Sequence, residues 1–340
     1  MKHFFAQRAA TVLMLDDLTT DVLDKSVHSI AHGVIHLDEL APEYGPDRRR
    51  LRVLKYRGSP FRGGFHDFVI ETGGVRVFPR LVSAEHRRDF KRNLLKTGNT
   101  EFNALLGGGI ERGSSVLVLG PAGAGKSVLA LTFIATAIER GERVAMFVFD
   151  EEMGLLMNRA KGFGIDLAAM MKSGNLLLTQ IDAAELTPGA FSWRVRDCIE
   201  QFGARTVVID SLTGYQAAMP EERALILHMH EILQFCNRNG ATTFLTVAQH
   251  GLLGDMKAPI DLTYLADTVI LLRYFEALGE VRRAISIVKK RTSAHETTIR
   301  EYRMHSGGFS LGEPLTHFHG VLRGVPTIVD RPRARSRRKK

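Results

Sequence analysis

The chain has 340 residues, 44% hydrophobic and 24% charged, the balance of a globular protein long enough for two domains. No apolar run reaches the ~20 residues that span a bilayer, and Met1 to Arg8 lacks the apolar core of a signal peptide. The two cysteines, Cys198 and Cys236, are too few for a zinc ribbon and are expected to be reduced, buried thiols of a cytoplasmic protein.

The first elements in the chain anticipate later ones. Arg49 to Ser59 reads R-R-L-R-V-L-K-Y-R-G-S, and Arg283 to Ser293 reads R-A-I-S-I-V-K-K-R-T-S. Both are strand-like and end in Lys-x-Arg-x-Ser. Gly73-Gly74 matches Gly307-Gly308 at the same offset of 234, and Ile30 to Ile35 resembles Leu265 to Ile270. Residues 1–83 therefore look like the back third of a domain whose complete copy occupies 97–328. Nothing in 1–83 resembles a phosphate loop, so the first copy is expected to lack its nucleotide-binding front half. Residues 84–96, rich in charge, read as a linker.

The complete copy opens on a strand, Ser115 to Leu119, followed by Gly120-Pro121-Ala122-Gly123-Ala124-Gly125-Lys126-Ser127 and a helix from Val128 to Arg140. Strand, G-x-x-x-x-G-K-S and helix together make a phosphate-binding loop. The glycines let the backbone wrap around a polyphosphate, and successive N–H groups and the helix N-terminus supply positive field. Lys126 adds a cation for the terminal phosphates, and the Ser127 hydroxyl can ligate Mg²⁺.

Alternating segments follow: strand Arg143 to Asp150, helix Met153 to Phe163, strand Leu176 to Ile181 and helix Ala190 to Phe202. After these come strand Thr206 to Ile209, helix Glu221 to Arg238 and strand Thr242 to Ala248. The pattern predicts a doubly wound, mostly parallel α/β sheet. Hairpins close it: Val269 to Tyr274 with Arg282 to Lys289, then Thr298 to Met304 with Phe309 to Leu311.

Asp210, ending a hydrophobic strand, is the expected carboxylate that supports Mg²⁺. Phe149-Asp150-Glu151-Glu152 ends the strand after the phosphate-loop helix. Asp150 or Glu151 is thus a candidate base for the attacking water, the alternative being an N-cap with first-turn acids. Lys289 and Arg291 alternate in phase and share a strand face from which two cations could reach a phosphate; a charge-guarded edge strand has the same pattern.

Residues 329–340 form a basic tail, expected to be disordered, in which 331–340 hold no apolar side chain larger than Ala or Pro. Seven of the 46 Lys and Arg residues lie in 331–340, which has no acid, so the rest of the chain holds 39 basic against 37 acidic residues. Seven of the nine net positive charges thus belong to the tail, through which contact with nucleic acid or an acidic partner is possible.

Leu105 to Ser114, the phosphate loop, Phe149-Asp150-Glu151, Ile209-Asp210-Ser211 and Lys289-x-Arg291 together resemble the KaiC circadian-clock ATPases of the RecA superfamily. The resemblance covers about 97–328, and 1–83 as the tail of a first such domain. It implies ATP and Mg²⁺ as ligands, slow hydrolysis, hexameric rings with each ATP between neighbours, and protein signalling partners. By position it assigns the loop from Gly120 to Val128 to phosphate, Ser127 and Asp210 to the metal, and Asp150 and Glu151 to the acidic pair, one acting as base. Arg283, Lys289 and Arg291 would reach the neighbouring chain's ATP, and Gln249 would sense the γ-phosphate. The family's autophosphorylated Ser-Thr pair aligns with Thr263 and Tyr264, so residual serine/threonine kinase activity would fall on altered acceptors. Lys55 and Arg57 repeat the trans-acting pair in the first copy. The alternative reading is a RecA-like DNA-dependent ATPase. The tail favours that reading, whereas the charge-balanced segment Gly254 to Asp261 and the lack of a zinc module oppose it.

Overall fold

A computed structural model describes residues 10–16, 25–41, 45–249, 251 and 262–328; the 254–261 segment and the basic tail lie outside them. The chain divides into two compact units, Met1–Arg80 and Leu81–Lys340.

In the first unit a short helix, α1 (Lys25–Ile30), precedes four strands: β1 (Gly33–Leu40), β2 (Arg48–Tyr56), β3 (His66–Glu71) and β4 (Gly74–Phe78). They form an antiparallel meander in chain order. Alternation divides its two faces. Cross-strand pairs Ile35/Val53, Leu37/Leu51, Phe68/Val77 and Ile70/Val75 put aliphatic and aromatic side chains on one face. The other face carries polar pairs such as Asp38 with Arg50, an ion pair at 2.7 Å.

The second unit begins with β5 (Leu94–Leu95), which pairs with β6 (Ile110–Glu111) across α2 (Thr100–Leu105). Then come β7 (Ser115–Gly120), α3 (Lys126–Glu139), β8 (Val144–Val148), α4 (Met153–Gly162), α5 (Leu167–Lys172) and β9 (Leu176–Gln180). The chain continues through α6 (Pro188–Glu200), β10 (Thr206–Asp210), α7 (Leu212–Gln216), α8 (Glu222–Arg238) and β11 (Thr242–Ala248). Four strands come next: β12 (Thr268–Ala277), β13 (Glu280–Lys290), β14 (Arg300–His305) and β15 (Gly308–Pro314). A two-residue pair, β16 (Phe318–His319) with β17 (Thr327–Ile328), follows them. Strands β7 to β15 join one nine-stranded sheet in the order β15-β14-β13-β12-β7-β11-β10-β8-β9. The strands from β12 to β9 run parallel, and β12 to β15 are antiparallel.

The parallel strands are apolar on both faces because helices cover both. On β7, Val116 and Val118 join a core with Leu129, Ile134 and Leu156, while Leu117 and Leu119 join Phe191, Leu225 and Ile232. This is the doubly wound, mostly parallel α/β sheet that the sequence pattern predicts. Helices α2, α5 and α7, of five or six residues each, are among the elements sequence periodicity did not reveal. Their caps are visible afterwards: Asn99, Asp166 and Ser211 accept from Phe102 N–H, Ala169 N–H and Gly214 N–H.

Residues 84–96 run along the second unit. Leu95 is buried, and Arg88 N–H donates to Arg238 C=O at 3.0 Å. Phe90 packs over Gly113 and Gly240, where any Cβ would stand 2.6 and 2.5 Å from its ring. Cys198 and Cys236 are buried free thiols, and burial pushes them up to about 11 and about 12. No described helix is long and apolar enough to cross a membrane.

Candidate functional site

The loop from Gly120 to Ser127 leaves the carboxyl end of β7 and enters α3. Gly123 and Gly125 have φ of 72° and 99°, values an L side chain rarely adopts. Space excludes a side chain too: a Cβ on Gly123 would meet the Tyr274 hydroxyl at 2.9 Å, and one on Gly125 the Met304 sulfur at 2.8 Å. A Cβ on Gly120 would press on Leu272 C=O at 2.8 Å. The loop is therefore a tight backbone cradle over the start of α3. Ala122 and Gly123 are exposed at its rim, Pro121, Ala124 and Val128 are buried behind it, and Ser127 is half-buried in the first helical turn.

Lys126 lies back over this cradle, its ammonium donating to Gly120 C=O at 3.0 Å and Pro121 C=O at 2.8 Å. Burial lowers its pKa, and the charge of Asp210 opposes that shift. Asp210 ends β10, is buried, and accepts from the Thr246 hydroxyl at 2.5 Å. That bond leaves its second oxygen for another donor or a cation.

Asp150 follows β8, the strand beside β10, and accepts from the Ser211 hydroxyl. Helix α7 passes so close beneath it that a Cβ on Gly214 would collide with Asp150 Oδ1. Glu151 pairs with Arg159 at 2.6 Å. Desolvation raises its pKa, Arg159 opposes this, and the Asp210 charge adds to the rise. Glu152, by contrast, caps α4 by accepting from Leu155 N–H at 2.9 Å, and the Gly154 and Leu155 N–H groups hold its carboxyl below the usual range. The acidic run thus divides into two carboxylates at the sheet edge and one helix cap. Ser211, Gly214, Thr246 and Arg159 were not anticipated from sequence; only Ser211, following Asp210, lay inside a quoted motif.

Gln249 follows β11, and its N–H donates to Gly120 C=O at 3.0 Å. Its side-chain Oε1 is buried without a partner among the described residues, an acceptor beside the phosphate loop that asks for a donor.

The structure separates the remaining cations. Arg283 pairs with Tyr274, stacks over that ring at 5.5 Å, and so lies at the phosphate-loop end of β13, since the Tyr274 hydroxyl donates to Ala122 C=O at 3.4 Å. Lys289 sits six positions further on, about 20 Å along the strand. There β13 pairs with Val269 of β12, level with Leu117 of β7, towards the amino ends of the parallel strands. Lys289 and Arg291 do come together. The Lys289 ammonium donates to Thr263 and Ala266 C=O at 2.6 and 2.8 Å, and Arg291 Nη2 donates to Tyr264 C=O at 2.6 Å. Arg291 Nη1 also lies 3.8 Å from Asp267. Arg291 leaves the end of β13, so its guanidinium stays half-exposed. The first unit repeats this clamp: Lys55 donates to His28 and Ser29 C=O, and Arg57 to Ser29 C=O.

The donor set suits a nucleotide with magnesium. Among the described residues no group of three or more His, Cys, Asp or Glu is placed to hold a metal by itself. One hydroxyl, Ser127, with one buried carboxylate, Asp210, is the sparse set Mg²⁺ takes when phosphates supply further oxygens. The positive-φ cradle and the unpartnered Gln249 oxygen fit the same ligand.

The family profile described as "ATPase: KaiC" matches residues 95–315. The circadian clock protein KaiC3 of a Synechocystis strain is 29% identical over 282 residues, 82% of this chain and 55% of that protein. The circadian clock oscillator protein KaiC of Acaryochloris marina is 29% identical over 285 residues, 83% of this chain and 54% of that protein. That of Prochlorococcus marinus is 29% identical over 292 residues, 84% and 58%. The chain spans about half the length of these relatives. With the profile covering most of the second unit, phosphate loop included, the chain belongs to the KaiC family of ATPases.

Proposed function

We propose that the chain binds ATP with Mg²⁺ and hydrolyses it slowly, and that each working site is shared by two neighbouring chains of a homo-oligomeric ring, in the family's manner a hexamer. One observation carries this reading. The phosphate loop, Ser127, Asp210, Asp150 and Glu151 gather at the carboxyl ends of the parallel strands, while Lys289 and Arg291 are clamped towards the amino ends. A cation at one end of the sheet cannot touch a phosphate at the other end of its own chain. A head-to-tail neighbour brings the two ends together.

In this reading the 120–125 backbone and Lys126 hold the phosphates, and Ser127 with Asp210 would hold Mg²⁺, which when bound neutralises phosphate charge. Glu151, its carboxyl raised by burial against the opposing charge of Arg159, is the group suited to take a proton from water, and Asp150 orients Ser211 beside it. Gln249 offers its free oxygen to the attacking water or the γ-phosphate side. Lys289 and Arg291 stabilise charge on the neighbour's phosphate as trans-acting groups. Arg283, at the phosphate-loop end, serves its own chain's nucleotide instead. Thr263 and Tyr264, whose carbonyls clamp the trans pair, are the acceptors that residual autokinase activity would use. The ring would act in the cytoplasm through protein signalling partners; a DNA-dependent ATPase finds its support only in 331–340.

The test is complementation. Lys126→Ala and Arg291→Ala chains are each expected to be inactive. Mixed, they should regain partial turnover, because one supplies an intact loop and the other an intact Arg291. No recovery, with co-assembly demonstrated, refutes the shared site.

A further inference from the structure

The cavity between residues 87–92 and the body of the second unit, about 480 Å³, lies away from the phosphate loop, and Asp267 and Thr292 in its wall adjoin Arg291. That volume suits a small molecule. It is lined by four guanidiniums, Arg87, Arg88, Arg92 and Arg238, against two carboxylates, Asp89 and Asp267. Asp267 is already committed, accepting from Ser115 N–H at 2.9 Å and the Ser115 hydroxyl at 3.0 Å. Arg92 leans on Glu111 at 3.3 Å, and Arg238 Nη1 donates to Ser83 C=O at 3.2 Å. Arg87 and Arg88 make no side-chain hydrogen bond or ion pair among the described residues, so the lining holds a surplus of cationic donors.

The cavity is built rather than incidental. Phe90 is wedged over Gly113 and Gly240, both with positive φ, and Arg88 N–H is tied to Arg238 C=O. Further on, Arg112 N–H and Nε donate to Asn93 C=O and Oδ1, each at 2.9 Å. These ties hold the arginine-bearing backbone in place. A second observation sits in the wall: Asn237 Oδ1 is buried and has no donor among the described residues. A buried acceptor left alone is costly, and a ligand hydroxyl would satisfy it.

We propose that this cavity is a second, non-catalytic site for a small molecule bearing both phosphate and hydroxyl groups, of the size of a nucleoside diphosphate. Guanidiniums bind phosphate oxygens through paired, charge-assisted N–H donors, which suits a cluster with arginines to spare. The hydroxyl is the partner Asn237 lacks.

The test titrates ADP into the full chain carrying Lys126→Ala, which disables the phosphate loop, and compares it with the same chain also carrying Arg87→Ala and Arg88→Ala. Both arginines are exposed, so the fold should survive, and an unchanged thermal melt checks this. ADP should bind the first chain, more weakly as salt rises, and at least about tenfold more weakly after the arginines are removed. Adenosine should not bind. Pyrophosphate should bind less tightly than ADP, with Asn237→Leu closing the gap. No ADP binding to the Lys126→Ala chain, or equal affinity with and without Arg87 and Arg88, overturns the site. Equal affinity for pyrophosphate and ADP before the Asn237 change overturns the hydroxyl assignment. Displacement of ADP by an oligoglutamate peptide at equal concentration would make the cavity a dock for acidic peptides instead.

Discussion

Strands β1–β4 and β12–β15 are two versions of one sheet, and their surroundings differ. They align at an offset of 234, or 235 in the first strand. In the second unit Ile270, Leu272, Ile285 and Phe309 lie in a core with Leu129 and Ile134 of α3. In the first unit the matching face has no described helix over it. Leu37 is 63% exposed where Leu272 is 1%, and Val75 is 60% exposed where Phe309 is 8%. The helix that covers this face in the second unit also begins with the phosphate loop, so burying the sheet and building the nucleotide cradle are the work of one element. The Lys-x-Arg clamp needs no such cover. Lys55 and Arg57 grip backbone carbonyls much as Lys289 and Arg291 do. The phosphate half and the cationic half of the proposed site are therefore separable pieces of structure.

The sharpest way to break the comparison is to remove the two matched arginines. Arg291→Ala should cut ATP turnover by about 10³ while nucleotide affinity stays within about twofold, the behaviour of an arginine supplied across an interface. Arg57→Ala, whose unit has no described phosphate loop, should leave turnover within about twofold. Equal losses in steady-state assays would mean the clamps are interchangeable.

Packing comes next. Leu272→Ala opens a hole in a closed core and should cost about 2–5 kcal/mol in denaturant unfolding. Leu37→Ala removes a mostly exposed side chain and should cost less than about 1 kcal/mol. A large loss at Leu37 would show its face to be covered in solution.

Acid sharpens the contrast by weakening the second unit through one group. His228 is half-buried with its ring nitrogen 2.8 Å from the Tyr215 hydroxyl, and desolvation lowers its pKa from 6.5 to about 4. A base depressed on folding takes up its proton first in the unfolded chain. Stability is thus full above pH 6.5 and falls as the pH drops from there to about 4, by about 3 kcal/mol. His228→Gln should flatten that part of a pH series of thermal melts.

Much of this architecture was legible in the sequence because its signals are local. The phosphate loop, the apolar strand before it, the helix after it and the Asp210 strand are each readable within a few residues. Arg283 shows where such reading ends. On an eleven-residue strand, which end meets the phosphate loop depends on the register of β13 on β12 and of β12 on β7, and no local pattern carries that. Residues 84–96 show the same limit: Phe90 and the Arg88 N–H help to fix a charged segment, and both meet partners distant in sequence. Asp150 and Glu151 were legible as an acidic pair, but their partners Ser211 and Arg159 come from the next strand's end and from a helix face.

The central claim is that no chain hydrolyses ATP alone. Its most direct test is the ATPase rate per chain, measured across a dilution series alongside the assembly state. The shared site predicts a rate per chain that falls towards zero as chains become monomeric and levels off once assembly is complete. A rate per chain that stays constant down to the monomer contradicts it.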